Sequence, residues 1–199
     1  MLYTPERYRT AKAEDALLEI SQRMLEFSAA WMGDCGALLM GPTGCGKSLA
    51  AATALRRLTL DKPRYWAAWV RADVLTRLAF NRESAADVAR IKAAYLLVID
   101  DLGYERFSEA AIEVIGDRYD RDLPTVVTTG LTSDEFKLRY SLATARKITE
   151  VGNGYAVNVW SEPGDPVPVG RVPRLVECAQ TQGAWNGKRP IFENEIDLP

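Results

Sequence analysis

Eight consecutive residues, Gly41-Pro42-Thr43-Gly44-Cys45-Gly46-Lys47-Ser48, constrain this chain more than any other stretch. They fit the phosphate-loop pattern G-x-x-x-x-G-K-[ST], which works only between a strand and a helix. Both flanks comply. Residues 36–40, Gly-Ala-Leu-Leu-Met, read as a short buried strand. Residues 49–60 are rich in Ala and Leu, lack Pro and Gly, and read as a helix. Glycines there let successive backbone N–H groups face an anion, at a helix end that already favours negative charge. In such a loop Lys47 reaches the β- and γ-phosphates of a nucleoside triphosphate and the Ser48 hydroxyl meets Mg²⁺.

A second landmark lies at Tyr95-Leu96-Leu97-Val98-Ile99-Asp100-Asp101. Its apolar run predicts a buried strand that delivers two adjacent carboxylates at its C-terminal end, the edge where open α/β sheets bind ligands. In phosphate-loop enzymes one such acid serves the metal and its neighbour orients or deprotonates the attacking water. Asp100 and Asp101 are the candidates.

The remaining pattern alternates strands with helices. Leu17, Ile20, Met24, Phe27 and Trp31 recur at helical spacing over 11–31, with Gly33 as a stop. Asp61-Lys62-Pro63 marks a turn before a β-prone run over 64–70. Asp73 is placed to cap a helix through Phe80, and Ser84-Ala85-Ala86-Asp87 to open another as a capping box. Between them Arg71, Arg77, Arg82, Arg90 and Lys92 form a basic bias, read as either a solvated face or a nucleic-acid contact. A helix over 108–119 turns Ile112, Ile115 and Tyr119 inward. A strand over 124–130 ends in hydroxyl residues, and Thr132-Ser133-Asp134-Glu135 opens a helix carrying Arg139, Arg146 and Lys147. A fifth strand covers 155–160. From Ser161 onward Pro and Gly interrupt every period.

Alternating elements predict an α/β fold with a mostly parallel sheet. The 199 residues suit one domain, over 1–160, with the helix over 11–31 packed on it and an irregular appendage over 161–199. With no His in the chain, His-based acid–base chemistry and His-ligated zinc are excluded. Cys35, Cys45 and Cys178 form neither a metal-ligand spacing nor a disulfide framework. A net charge of −2 argues against a strongly basic monomeric DNA binder, but not against a site built by several subunits. No apolar run is long enough for a membrane span and no signal-peptide core opens the chain, so a cytoplasmic protein is the default.

The segments GPTGCGKS at 41–48, LLVIDDLG at 96–103 and GDRYDRDLPTVVTTGLTSDEF at 116–136 together resemble AAA+ ATPases of the DnaC/DnaI/IstB group, bacterial and phage helicase loaders and transposition ATPases. The resemblance runs over about residues 8–160 and holds in order and spacing. It implies an ASCE-type phosphate-loop fold with a parallel five-stranded sheet flanked by helices. It also implies ATP and Mg²⁺ as ligands, held by Gly41, Pro42, Thr43, Gly44, Cys45, Gly46, Lys47, Ser48, Leu49 and Thr129, with Ser48 and Asp100 on the metal. Lys47, Asp101 and Arg146 become the catalytic set, Arg146 acting across a subunit boundary with Arg139 in reserve. Thr129 and Gly130 fall where the resembling proteins usually end in Asn, leaving Thr128 or Thr129 to substitute. The Ser-Tyr-Arg that usually follows the fifth strand is replaced by Trp160-Ser161-Glu162. The implied partners are a replicative helicase or a transposase, and single-stranded DNA contacted by a nucleotide-dependent homo-oligomer. A nucleotide-binding adaptor with little turnover stands as a further reading; a small-molecule kinase is disfavoured because the doubled acid suits water activation.

Overall fold

Strands buried on both faces must be nearly all apolar, and helices must cover both faces of the sheet they build. The structure, a computed structural model, describes residues 22–61, 66–152 and 154–159. In chain order these residues form α1 (Gln22–Ala30), β1 (Ala37–Met40), α2 (Lys47–Asp61), β2 (Ala67–Arg71) and α3 (Ala72–Phe80). A 3₁₀ turn (Arg82–Ser84), α4 (Ala85–Ala93), β3 (Leu96–Leu102), α5 (Glu109–Asp120), β4 (Thr125–Thr129), α6 (Ser133–Glu150) and β5 (Tyr155–Asn158) follow. The expected α/β class is observed: a five-stranded sheet in the order β2-β3-β4-β1-β5, each neighbouring pair parallel. β4 therefore separates the strand before the phosphate loop from the strand bearing the acids. The first half of the helix expected over 11–31, the turn at 62–63 and the appendage over 161–199 lie outside the described residues.

Alternation along each strand divides the core into two layers. Leu39, Trp69, Val98 and Val126 pack under α1 and α2, against Phe27, Trp31 and Leu55. Leu38, Val70, Ile99 and Val127 pack under α3 to α6, against Leu75, Ile91, Val114 and Phe136.

Three local expectations are corrected. Ser84 makes no side-chain cap; its φ −93° and ψ 9° belong to the preceding 3₁₀ turn, which Asn81 caps by accepting from the Glu83 N–H at 3.1 Å. Asp73 sits inside the first turn of α3 behind Arg71, and pairs with Arg71 at 3.2 Å and Arg77 at 3.5 Å. Ile112 is exposed, because α5 is rotated so that Ala111, Val114, Ile115 and Arg118 face inward. The box at Thr132 and Glu135 forms with both reciprocal bonds, and α6 kinks at Ser141, φ 67°.

Arg118 explains that rotation. Its guanidinium is wholly buried and donates to the carbonyls of Lys92 (2.9 Å), Ala94 (2.5 Å), Tyr95 (3.4 Å) and Pro124 (2.6 Å), and to the Thr125 hydroxyl (2.8 Å). A planar fork of donors is the group that can satisfy several carbonyls at once. It ties the end of α4 to the starts of β3 and β4, at the sheet edge opposite the phosphate loop. Burial pulls its pKa down to about 9, Arg121 adding to the fall, so it stays charged at neutral pH.

Candidate phosphate-binding site

β1 ends at Met40 and hands the chain to the loop. The first loop residue is anchored to the sheet, its N–H donating to the Thr129 carbonyl at 3.3 Å across the β1–β4 pair. Gly44 (φ 89°) and Gly46 (φ 91°) take left-handed conformations that side chains disfavour, which turns the loop over before α2 begins. The first turn of α2 contains no acidic residue to compensate its positive end. Lys47 is buried there, its ammonium donating to the Gly41 carbonyl at 2.8 Å and the Pro42 carbonyl at 2.9 Å.

Ser48 faces the acidic strand. Its hydroxyl donates to Asp100 Oδ1 at 2.7 Å, and the Thr128 hydroxyl donates to the same oxygen at 2.7 Å. Asp100 is 1% exposed. The pairing of β3 with β4 slips here: Ile99 faces Val127 and Leu102 faces Thr129, so Asp100 and Asp101 stand opposite Thr128 alone. This is a β-bulge, a device that re-aims side chains at strand ends. Asp101 takes φ 57°, a conformation Asp tolerates better than most residues, and its N–H donates to Thr128 Oγ1 at 3.0 Å. Thr128 thus stitches the bulge from both sides.

Of the residues expected at a nucleotide site, Lys47, Ser48, Asp100 and Asp101 converge at one sheet edge. Thr129 is buried beside them, but its hydroxyl donates to the Leu102 carbonyl at 2.6 Å and accepts from the Leu131 N–H at 3.2 Å. Thr128, not Thr129, reaches Asp100. Arg146 lies on the exposed face of α6, ion-paired with Glu150 at 2.8 Å. Arg139 is tied to the loop after β3, donating to the Glu105 carbonyl and pairing with its carboxylate at 3.3 Å. Glu105 is buried, accepts from the Gly103 N–H at 2.8 Å, and takes a short bond from Tyr140. Burial and that carboxylate together push the Tyr140 phenol well above its ordinary pKa. Sequence reasoning passed over Glu105 and Arg118; the offset of Glu105 from the paired acids was the available signal.

The donor set suits a hard cation. One hydroxyl and one carboxylate meet at 2.7 Å, and no cluster of three acidic or thiol ligands exists among the described residues. That is the partial set typical of Mg²⁺, which keeps waters and takes its other oxygens from a phosphate.

A phosphate loop on β1, acids on β3 and β4 inserted between them define the AAA+ class of phosphate-loop NTPase folds. The chain belongs to the family of IstB-like ATP-binding proteins, whose model matches residues 19–145. No curated protein matches the chain. Among solved structures it is similar to DnaI (19% identity, TM-score 0.61, covering 79% of this chain and 95% of that one). It is similar also to the DnaC helicase loader (20% identity, TM-score 0.61, 77% and 99%). A third likeness is to AMPPCP-bound DnaA from Aquifex aeolicus (15% identity, TM-score 0.56, 78% and 51%). At these identities the structural likeness speaks for the fold. No described helix is long and apolar enough to cross a membrane.

Proposed function

We propose that this protein binds and hydrolyses ATP with Mg²⁺ and acts in DNA replication as a DnaC-like loader of the replicative helicase. The observation that carries the reading is the 2.7 Å bond between Ser48 of the phosphate loop and Asp100 of the acidic strand. It joins the phosphate-holding and metal-holding halves of one site.

In this reading, Ser48 and Asp100 would hold Mg²⁺, which would supply neutralising charge to the phosphates. Lys47 exchanges its loop carbonyls for phosphate oxygens, while backbone N–H groups from Thr43 to Leu49 orient the chain of phosphates. Thr128 fixes the Asp100 carboxylate. Asp101, held at the bulge, accepts the proton of the attacking water. Arg146 acts on the nucleotide of a neighbouring copy, so turnover requires a homo-oligomer, and single-stranded DNA is contacted by that assembly in the cytoplasm. DnaI and the DnaC helicase loader, similar in fold over nearly their full lengths, support this choice. The family description equally supports an IstB-like helper acting on a transposase.

Phosphate release measured with and without single-stranded DNA, beside Lys47→Ala, tests the proposal. DNA-stimulated turnover that Lys47→Ala abolishes, with nucleotide binding lost by calorimetry and the fold intact, is expected. Unchanged ATP affinity in folded Lys47→Ala refutes the site. Tight ATP binding without turnover in the wild type supports the adaptor instead.

A further inference from the structure

The end of β4 runs out of polar side chains just where the site needs them. Thr128 is bonded to Asp100, Thr129 is bonded to Leu102, and the next residue, Gly130, has no side chain. Yet this position is close to the phosphate loop, since the Thr129 carbonyl immediately before it accepts from Gly41.

One polar group does reach Gly130. Tyr104 follows Asp101 through a tight turn, its N–H donating to the Asp101 carbonyl at 3.4 Å, with Gly103 between them at φ 114°. The turn carries its ring across the sheet edge. A Cβ built on Gly130 would stand 2.9 Å from the Tyr104 hydroxyl, and 3.5 and 3.6 Å from two ring carbons. Tyr104 is 64% exposed, and its hydroxyl makes no hydrogen bond to another described residue. A large aromatic ring, exposed and with a free donor, is otherwise a poor use of that position; an apolar ring would pack as well. Gly130 and Tyr104 are sterically matched: the absent side chain makes room for the phenol.

We propose that Tyr104 is a catalytic residue of the ATPase site, its hydroxyl donating a hydrogen bond to the terminal phosphate and so distinguishing ATP from ADP. The inference rests on the ATP-hydrolysing reading above. The donor comes from the loop after β3, on the same turn as Asp101, so the residue that handles the water and the residue that contacts the terminal phosphate move together. No proton is transferred by Tyr104; it serves as a fixed donor toward charge that grows on the phosphate oxygens.

Three variants test this. Tyr104→Phe removes the hydroxyl and keeps the ring. It should leave ADP affinity unchanged by calorimetry, weaken ATP affinity about tenfold, as for loss of one hydrogen bond to a charged group, and lower kcat about 10²-fold. Gly130→Asn alone should displace the exposed Tyr104 hydroxyl, which its Cβ meets at 2.9 Å, and lose less ATP preference than Tyr104→Phe because the amide offers a replacement donor. Combining the two should restore ATP preference and part of kcat, since the ring carbons leave ordinary contact for a Cβ and the amide supplies a donor. Equal ATP-to-ADP affinity ratios in the wild type and Tyr104→Phe overturn the proposal, as does a double variant no better than Tyr104→Phe. If the wild type binds no ATP, the ATPase reading falls with it; if it binds and Tyr104→Phe behaves as wild type, only Tyr104 is removed.

Discussion

Replacing Arg118 by Met should destabilise the fold strongly while sparing the nucleotide site. Met keeps a long apolar stem but removes every donor. The acceptors on Lys92 and Tyr95 are part-buried and can be rehydrated, and the Thr125 hydroxyl keeps a bond to the Leu123 carbonyl at 3.4 Å. The Ala94 carbonyl is buried and loses its bond, whereas the Pro124 carbonyl loses its shorter bond but keeps the Leu97 N–H at 3.4 Å. At about 1–3 kcal/mol for the one orphaned group, with a smaller loss at Pro124, the total is about 2–4 kcal/mol, and relief from desolvating a charge offsets part of it. A net cost of about 2 kcal/mol lowers Tm by roughly 4–8 °C in a chain of this size. Arg118→Lys should fall between, keeping the charge but not the fork. The pH dependence has a defined sign. Burial holds the folded guanidinium at about 9, well below the unfolded arginine, so stability rises with pH only above about 9. Below about 9 both states are protonated, and the difference between wild type and Arg118→Met should be flat. Calorimetric melting of both proteins, with ATP affinity measured below the transition, is the assay. An Arg118→Met protein that melts within about 2 °C of wild type refutes the clamp, and one that folds normally but fails to bind ATP refutes its separation from the site.

Asp101→Asn should keep nucleotide and Mg²⁺ binding but lose about 10²–10⁴-fold in turnover; Asn also tolerates φ 57°, so the bulge survives. Wild-type turnover in that variant removes Asp101 from the chemistry. The Thr132 N–H, and then its hydroxyl, hold the Glu135 carboxylate below its ordinary 4.5, so this cap stabilises above that pH and is lost as pH falls through the folded value. The stability difference between wild type and Glu135→Gln should therefore shrink as pH falls below 4.5; a constant difference counts against the charge. Arg146→Ala should bind ATP yet fail to hydrolyse it, with activity partly regained on mixing with Lys47→Ala. Full activity of Arg146→Ala alone takes Arg146 out of the site.

Strong local physics made much of the chain legible as sequence. The phosphate loop, the buried runs and the Thr132 capping box each follow from residues a few positions apart, and the alternation of elements dictated a parallel α/β sheet. Tertiary contacts decided the rest. A β-bulge depends on the register between β3 and β4, so nothing local at Asp100-Asp101 announced that both acids stand opposite Thr128 alone. Nothing local marked Arg118 as a core residue; it is one because carbonyls from three chain segments converge around it. Gly130 read as a missing side chain in one strand; only the folded edge shows Tyr104, arriving from the loop after β3, in the space it leaves. Ser84 had the residue type for a cap, but an N-cap needs extended backbone, and the preceding 3₁₀ turn denied it that. Propensity and motif act along the chain, whereas the pairing of polar groups is settled between elements, and it is there that this site takes its shape.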